Sequence, residues 1–102
     1  MNKNSHVLTN LAALAFFSTP ATLPAEVPSK AKQCFACHGA EGVSLNPEFP
    51  SLAGQSKSYL EKQIKAFKNG DRKSPVMKPM VSSLSDKDID VVAGYFSSFR
   101  AG

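Results

Sequence analysis

The chain has 102 residues, 42% of them hydrophobic and 20% charged, with a net charge of +4 and two cysteines. This length and composition describe one globular domain, and they exclude a disordered chain and a multidomain protein. At this size an apolar core alone is marginal, so a bridge, metal or cofactor is expected to help, and two cysteines offer one disulfide or one attachment site.

The amino end differs from the rest. Lys3 makes it basic, Leu11 to Phe17 is a short apolar run, and STPATLPA follows before the first acidic residue, Glu26. That order predicts a secretory signal peptide over 1–25 and a mature domain over 26–102. The run is too short to span a bilayer, which leaves an uncleaved interfacial anchor as the alternative to export. Cleavage is expected after Ala25, with Ala21 as a competing site.

Beyond the leader only helical signals stand out. A short helix is predicted from Pro28 to Ala36, with the proline tolerated at a helix start where its missing N–H has no partner to lose. From His38 to Gln55 the sequence carries three glycines and two prolines, too many for a regular element; a loop this long in a small domain wraps a ligand or has a function of its own. Ser56 caps a second helix to Lys68, where Leu60, Ile64 and Phe67 recur at helical spacing, Lys57, Lys65 and Lys68 fall on the polar side, and Gly70 ends it. Residues Asp71 to Leu84 form a second irregular stretch holding Pro75, Met77, Pro79 and Met80. Ser85 caps the last helix, Asp86 and Asp88 place negative charge in its first turn, Ile89, Val92, Ala93, Phe96 and Phe99 form its apolar stripe, and Arg100 lies near its end. No segment alternates as a strand does, so the expected class is all-α, with three main helices and two long loops.

The chemistry lies in CFACH, Cys34 to His38. Two cysteines two residues apart and followed at once by histidine form the attachment pattern of c-type haem. Each thiol adds to one vinyl group, the spacing lets both reach from one turn of backbone, and the adjacent imidazole then lies under the ring as proximal iron ligand. A redox-active thiol pair would follow a strand, and none precedes Cys34. A structural zinc needs four ligands, whereas with His6 in the leader only Cys34, Cys37 and His38 remain among the usual cysteine and histidine donors. A Cys34–Cys37 disulfide would close too small a loop to stabilise much. For a sixth ligand the mature chain offers the soft sulfurs of Met77 and Met80, although methionine is more often a core residue.

CFACHGAEGVS, then FPSLAGQ, YLEKQIKAFKNGDR and PVMKPMVSSLSDKDIDVVAGYFSSF, together resemble the small periplasmic class I cytochromes c, and resemble one half of the tandem dihaem members of that class. The resemblance covers nearly everything from Lys30 to Phe99, and the single CxxCH implies one covalently bound haem c in a cytochrome c fold. In similar cytochromes the methionine ligand lies seven residues before the leucine preceding the last helix; counting from Leu84 implies Met77, with Met80 the alternative. The likeness also makes Pro50 the residue whose carbonyl accepts a hydrogen bond from the far nitrogen of His38. Phe49, Leu52, Tyr59, Leu60, Ile64, Val76, Phe96 and Phe99 are candidates for haem contact or for general core packing. Gly39 and Gly42 are expected to serve tight turns.

Between Lys57 and Lys78 the basic residues Lys57, Lys62, Lys65, Lys68, Arg72, Lys73 and Lys78 face only Glu61 and Asp71. They are either a solvated face or a patch that steers docking onto acidic partners; no motif accompanies them that would read nucleic acid. The function implied is a periplasmic electron carrier, not an enzyme, monomeric or weakly dimeric, that meets redox partners transiently. The alternatives are a haem subunit of a larger dehydrogenase and an open-site haem enzyme or gas sensor.

Overall fold

A computed structural model describes residues 26–101; the leader expected over 1–25 lies outside the described residues. The described residues are helical, with no strand among them, as expected. The helices are α1 (Ser29–Lys32), α2 (Phe35–His38), α3 (Lys57–Asn69), α4 (Met77–Val81) and α5 (Asp86–Ser97).

The first helix differs from expectation. In place of one helix from Pro28 to Ala36 there are two single turns, α1 and α2, broken at Gln33 and Cys34. Both residues at the break have ψ −15°, well short of the helical value, and Cys34 N–H bonds to the carbonyl of Ala31, three residues back, at 3.0 Å. The chain tightens there as a 3₁₀ turn does. It resumes α geometry with the 2.9 Å bond from His38 N–H to the Cys34 carbonyl, so the second turn reaches two residues beyond Ala36 and includes the histidine.

The middle and last helices follow the sequence closely. Ser56 Oγ accepts from Tyr59 N–H at 3.2 Å to start α3, and Gly70, with φ 90°, ends it. At α5 the Ser85 hydroxyl accepts from Asp88 N–H while the Asp88 carboxylate accepts from Ser85 N–H, both at 3.0 Å, a reciprocal capping box. Phe99, expected on the apolar stripe, lies past the end of α5 and stacks edge-on against Tyr95 with ring centroids 5.0 Å apart.

The stretch from Asp71 to Leu84, expected to be irregular, contains α4 in spite of Pro79. Pro79 is its third residue, and the first N–H groups of a helix have no intrahelical acceptor, so the missing donor costs nothing there. Ser74 starts the element: its Oγ accepts from Met77 N–H at 3.0 Å and its carbonyl from Lys78 N–H at 3.1 Å.

Helix α5 is the spine. It packs along α3 and against α1, and its buried residues divide between two apolar clusters. Val92, Ala93 and Phe96 join Ala31 and Leu60 in one; Ile89 joins Val81 and Leu84 in the other. Phe35 packs edge-on against Phe96 at 6.2 Å and lies 6.1 Å from Tyr95, which fixes α2 on the spine.

Two predictions come from these elements. Gly39 and Gly70 share a positive φ, 88° and 90°, but a Cβ on Gly39 would lie 2.1 Å from the Val43 carbonyl oxygen, whereas one on Gly70 would meet only the flexible end of Lys78 at 3.7 Å. Gly70→Ala is therefore expected to cost about 1 kcal/mol and Gly39→Ala severalfold more by urea unfolding of the haem-loaded protein; equal losses would refute the clash. The backbone N–H of Ser85, chiefly, lowers the Asp88 carboxyl below its ordinary 3.8. A depressed folded-state value gives stability that is present above 3.8 and lost as pH falls through the lower one. Asp88→Asn is expected to flatten the loss of α5 helicity below pH ~4, measured by circular dichroism.

Candidate functional site

The broken first helix brings Cys34 to the start of α2 and Cys37 and His38 onto it. Neither cysteine is in a disulfide, and both are partly buried. Burial, with a smaller contribution from Cys37, pushes the Cys34 thiol up to about 11. The shift is opposite in direction to the lowered pKa of a redox-active thiol pair. It suits a sulfur that ends as an uncharged thioether. Among the described residues no three His, Cys, Asp or Glu side chains converge as a metal ligand set.

His38 is buried, with 7% of its surface exposed, and its Nδ1 lies 2.7 Å from the Pro50 carbonyl oxygen. A carbonyl only accepts, so Nδ1 carries the hydrogen and Nε2 keeps its lone pair for a metal. Pro50 supplies the acceptor of this hydrogen bond. The bond depends on the loop between α2 and α3, which Gly42 ties shut: its carbonyl accepts from Leu52 N–H at 2.7 Å and from Ala53 N–H at 3.0 Å. Here only glycine fits, since φ is 79° and a Cβ would lie 2.9 Å from Ala53 N.

Cys34, Cys37, His38, Pro50 and Met77 all line one cavity of about 530 Å³, as does Met80. The volume is in the range of small-molecule and cofactor sites. Leu60 and Phe96 from one apolar cluster and Val81 and Leu84 from the other face it, so the two halves of the core meet across this space. Of the expected contact residues Phe49, Leu52, Tyr59, Leu60, Ile64, Val76 and Phe96 line it; Phe99 does not, because it stands beyond α5 against Tyr95. An apolar hollow lined by two cysteine sulfurs, an oriented imidazole and two thioethers fits a haem.

The methionines differ in setting. Met77 is partly buried against Val81, Leu84 and Ile89, whereas Met80 is 37% exposed and its carbonyl accepts from Gln33 Nε2 at 3.1 Å. Gln33, which ties the methionine helix to the attachment segment, and Ser74, which starts that helix, were missed by sequence reasoning. Ser74 had a usable signal, a serine three residues before Met77 as at a helix cap; the partner of Gln33 is 47 positions away. Arg72 is a further residue at this wall, its guanidinium 4.6 Å above the Phe67 ring and bonded to Gln63 Oε1 at 2.8 Å.

Residues 27–96 match the family described as "Cytochrome C oxidase, cbb3-type, subunit III". The chain is 50% identical to cytochrome c-554(548) of Halomonas halodenitrificans over 68 residues, 64% of this chain and 82% of that one. It is 47% identical to cytochrome c4 of Pseudomonas aeruginosa over 69% of this chain but 35% of the relative, and 38% identical to the "Thiosulfate dehydrogenase electron acceptor" of Thiomonas intermedia over 91% of this chain and 42% of the relative. The chain thus spans well under half of the length of these two longer relatives. Both the match over 27–96 and the identity to a cytochrome close to its own length say that the chain belongs to the c-type cytochromes, as a class I member similar to one half of a cytochrome c4, and transfers electrons through one covalently bound haem c.

Proposed function

We propose that the chain is a periplasmic electron carrier in which Cys34 and Cys37 hold the haem, His38 is the proximal ligand and Met77 the sixth. The observation that carries this reading is the 2.7 Å hydrogen bond of His38 Nδ1 to the Pro50 carbonyl in a cavity that both cysteines and Met77 also line. When bound, the haem supplies one-electron chemistry, its iron passing between ferrous and ferric states.

The chain's own residues supply the rest. Pro50 fixes the His38 ring and raises its donor strength. Apolar walls from α3 and α5 exclude water, and a soft thioether favours the ferrous state and raises the reduction potential. The role transforms no substrate. Export is supported by the composition of 1–25, and mass spectrometry of the mature protein finding cleavage after Ala25 would establish it.

Docking onto acidic partners is supported by the basic segment. Lys57 is used up by Asp90 at 2.6 Å, and Lys68 Nζ donates to the Leu84 carbonyl. Lys62, Lys65, Lys73 and Lys78 are exposed and form no ion pair among the described residues. A second reading, the electron acceptor of a partner dehydrogenase, draws on the relatives named for that role and differs only in the donor. No helix of the described residues is long and apolar enough to cross a membrane.

Met77→Ala is expected to abolish the weak near-infrared charge-transfer band of the ferric protein and open the iron to carbon monoxide in the ferrous one, while Met80→Ala keeps the band. The reverse pattern would assign the ligand to Met80. Gln33→Ala removes one hydrogen bond from the methionine segment, worth about 0.5–1.5 kcal/mol. Added imidazole, which competes with methionine for ferric iron, is therefore expected to bind about two- to tenfold more tightly, with the band unchanged before addition. No change in imidazole affinity would show that Gln33 does not hold the segment.

A further inference from the structure

Beside the haem cavity is a second hollow of about 380 Å³, lined by the turn between α3 and α4 and by the start of α4. Arg72, Lys73 and Lys78 line it, Ser74 adds a hydroxyl, and Pro75 and Pro79 form stiff walls. No carboxylate lines it. The nearest acidic residue in sequence, Asp71, is exposed, and its backbone N–H is turned to the Asn69 side chain at 2.8 Å.

All three cations are exposed, and they share one concave lining. Arg72 is held by the Phe67 ring and by Gln63, a bond that uses one of its five N–H donors and leaves the rest of the fork available. Lys78 Nζ reaches back over Gly70, 3.7 Å from where a Cβ would stand. Ser74 Oγ accepts from Met77 N–H, which uses an oxygen lone pair and leaves the hydroxyl hydrogen as a donor. Neither lysine nor the arginine pairs with an acidic side chain among the described residues. Like charges lining one concavity favour entry of a counter-charge, and these side chains are of the kind that bind oxyanions.

We propose that this hollow is a binding site for a small, doubly charged oxyanion of the phosphate or sulfate class. Its concave, proline-walled form suits a dissolved ion. Arg72, Lys73 and Ser74 also line the haem cavity, and Ser74 and Lys78 flank Met77 in sequence. An anion bound here places negative charge beside that cavity and lowers the reduction potential; this consequence, unlike binding itself, rests on the haem occupying the cavity.

The test uses the haem-loaded protein and sodium phosphate at neutral pH, with ionic strength held constant by sodium chloride. Amide resonances of residues 70–78 are expected to shift and saturate with one-to-one stoichiometry, and sulfate should compete. Lys73→Gln combined with Lys78→Gln, both at exposed positions, should weaken binding about tenfold or more. Shifts that do not saturate, that chloride reproduces, or that survive unchanged in the double variant would overturn the site. The reduction potential should fall in step with the shifts in the wild type and stay level in the double variant. Saturating shifts with a level wild-type potential would support the site and overturn its coupling to the haem cavity.

Discussion

The bond from His38 Nδ1 to the Pro50 carbonyl is the contact on which the rest of the architecture depends. A buried imidazole with an unpaired N–H is costly, and one with a free choice of tautomer is a poor metal ligand. Meeting both demands requires the chain to leave α2, turn and return within twelve residues. Gly39 and Gly42 make the turn possible with positive φ, and the Gly42 carbonyl closes it by accepting from both Leu52 and Ala53. The loop is then tied to the far end of the chain, where Gly54 N–H bonds to the Phe99 carbonyl at 2.9 Å. The loop has no regular structure, yet many of its backbone N–H groups have assigned partners.

Helix α5 gives that loop something to close against. Its residues serve two clusters, with Ile89 toward the methionine segment and Val92, Ala93 and Phe96 toward α1 and α3. Both clusters border the same cavity, so the cofactor of this family takes the place that a contiguous apolar core fills in other small domains. Tyr95 adds a polar tie, its hydroxyl donating to the Ala40 carbonyl at 2.9 Å across 55 residues of sequence. The side of α5 that faces solvent contributes little by comparison: Lys57 and Asp90 pair at the surface with about half of each side chain exposed, a setting in which ion pairs stabilise weakly.

The methionine segment is held differently from the histidine. Met77 rests on the smaller apolar cluster, and the short α4 around it is pinned at its start by Ser74 and near its end by the bond from Gln33 to the Met80 carbonyl. The Gln33 bond is exposed and comes from a side chain, which makes this the wall of the cavity most easily opened. Arg72, stacked on Phe67 and bonded to Gln63, stiffens the approach to it from α3.

The sequence by itself determined what is local. CxxCH identifies its chemistry within five residues, Ser56, Gly70, Ser85 and Asp88 set helix ends by hydrogen bonds that span only a few positions, and the stripe Ile89, Val92, Ala93 and Phe96 names the buried face of α5 by period alone. It misjudged two places where a local rule met a nonlocal demand: the helix before the cysteines breaks at Gln33 and Cys34, and α4 forms around a proline because its first turn needs no donor at that position. Only the tertiary structure decided that Met77 is partly buried while Met80 is exposed, that Phe99 turns away from the cavity to Tyr95, and that Gln33 reaches Met80. Those outcomes depend on contacts between distant segments, whose partners are fixed by packing against α5 and leave no periodic or spacing signal along the chain.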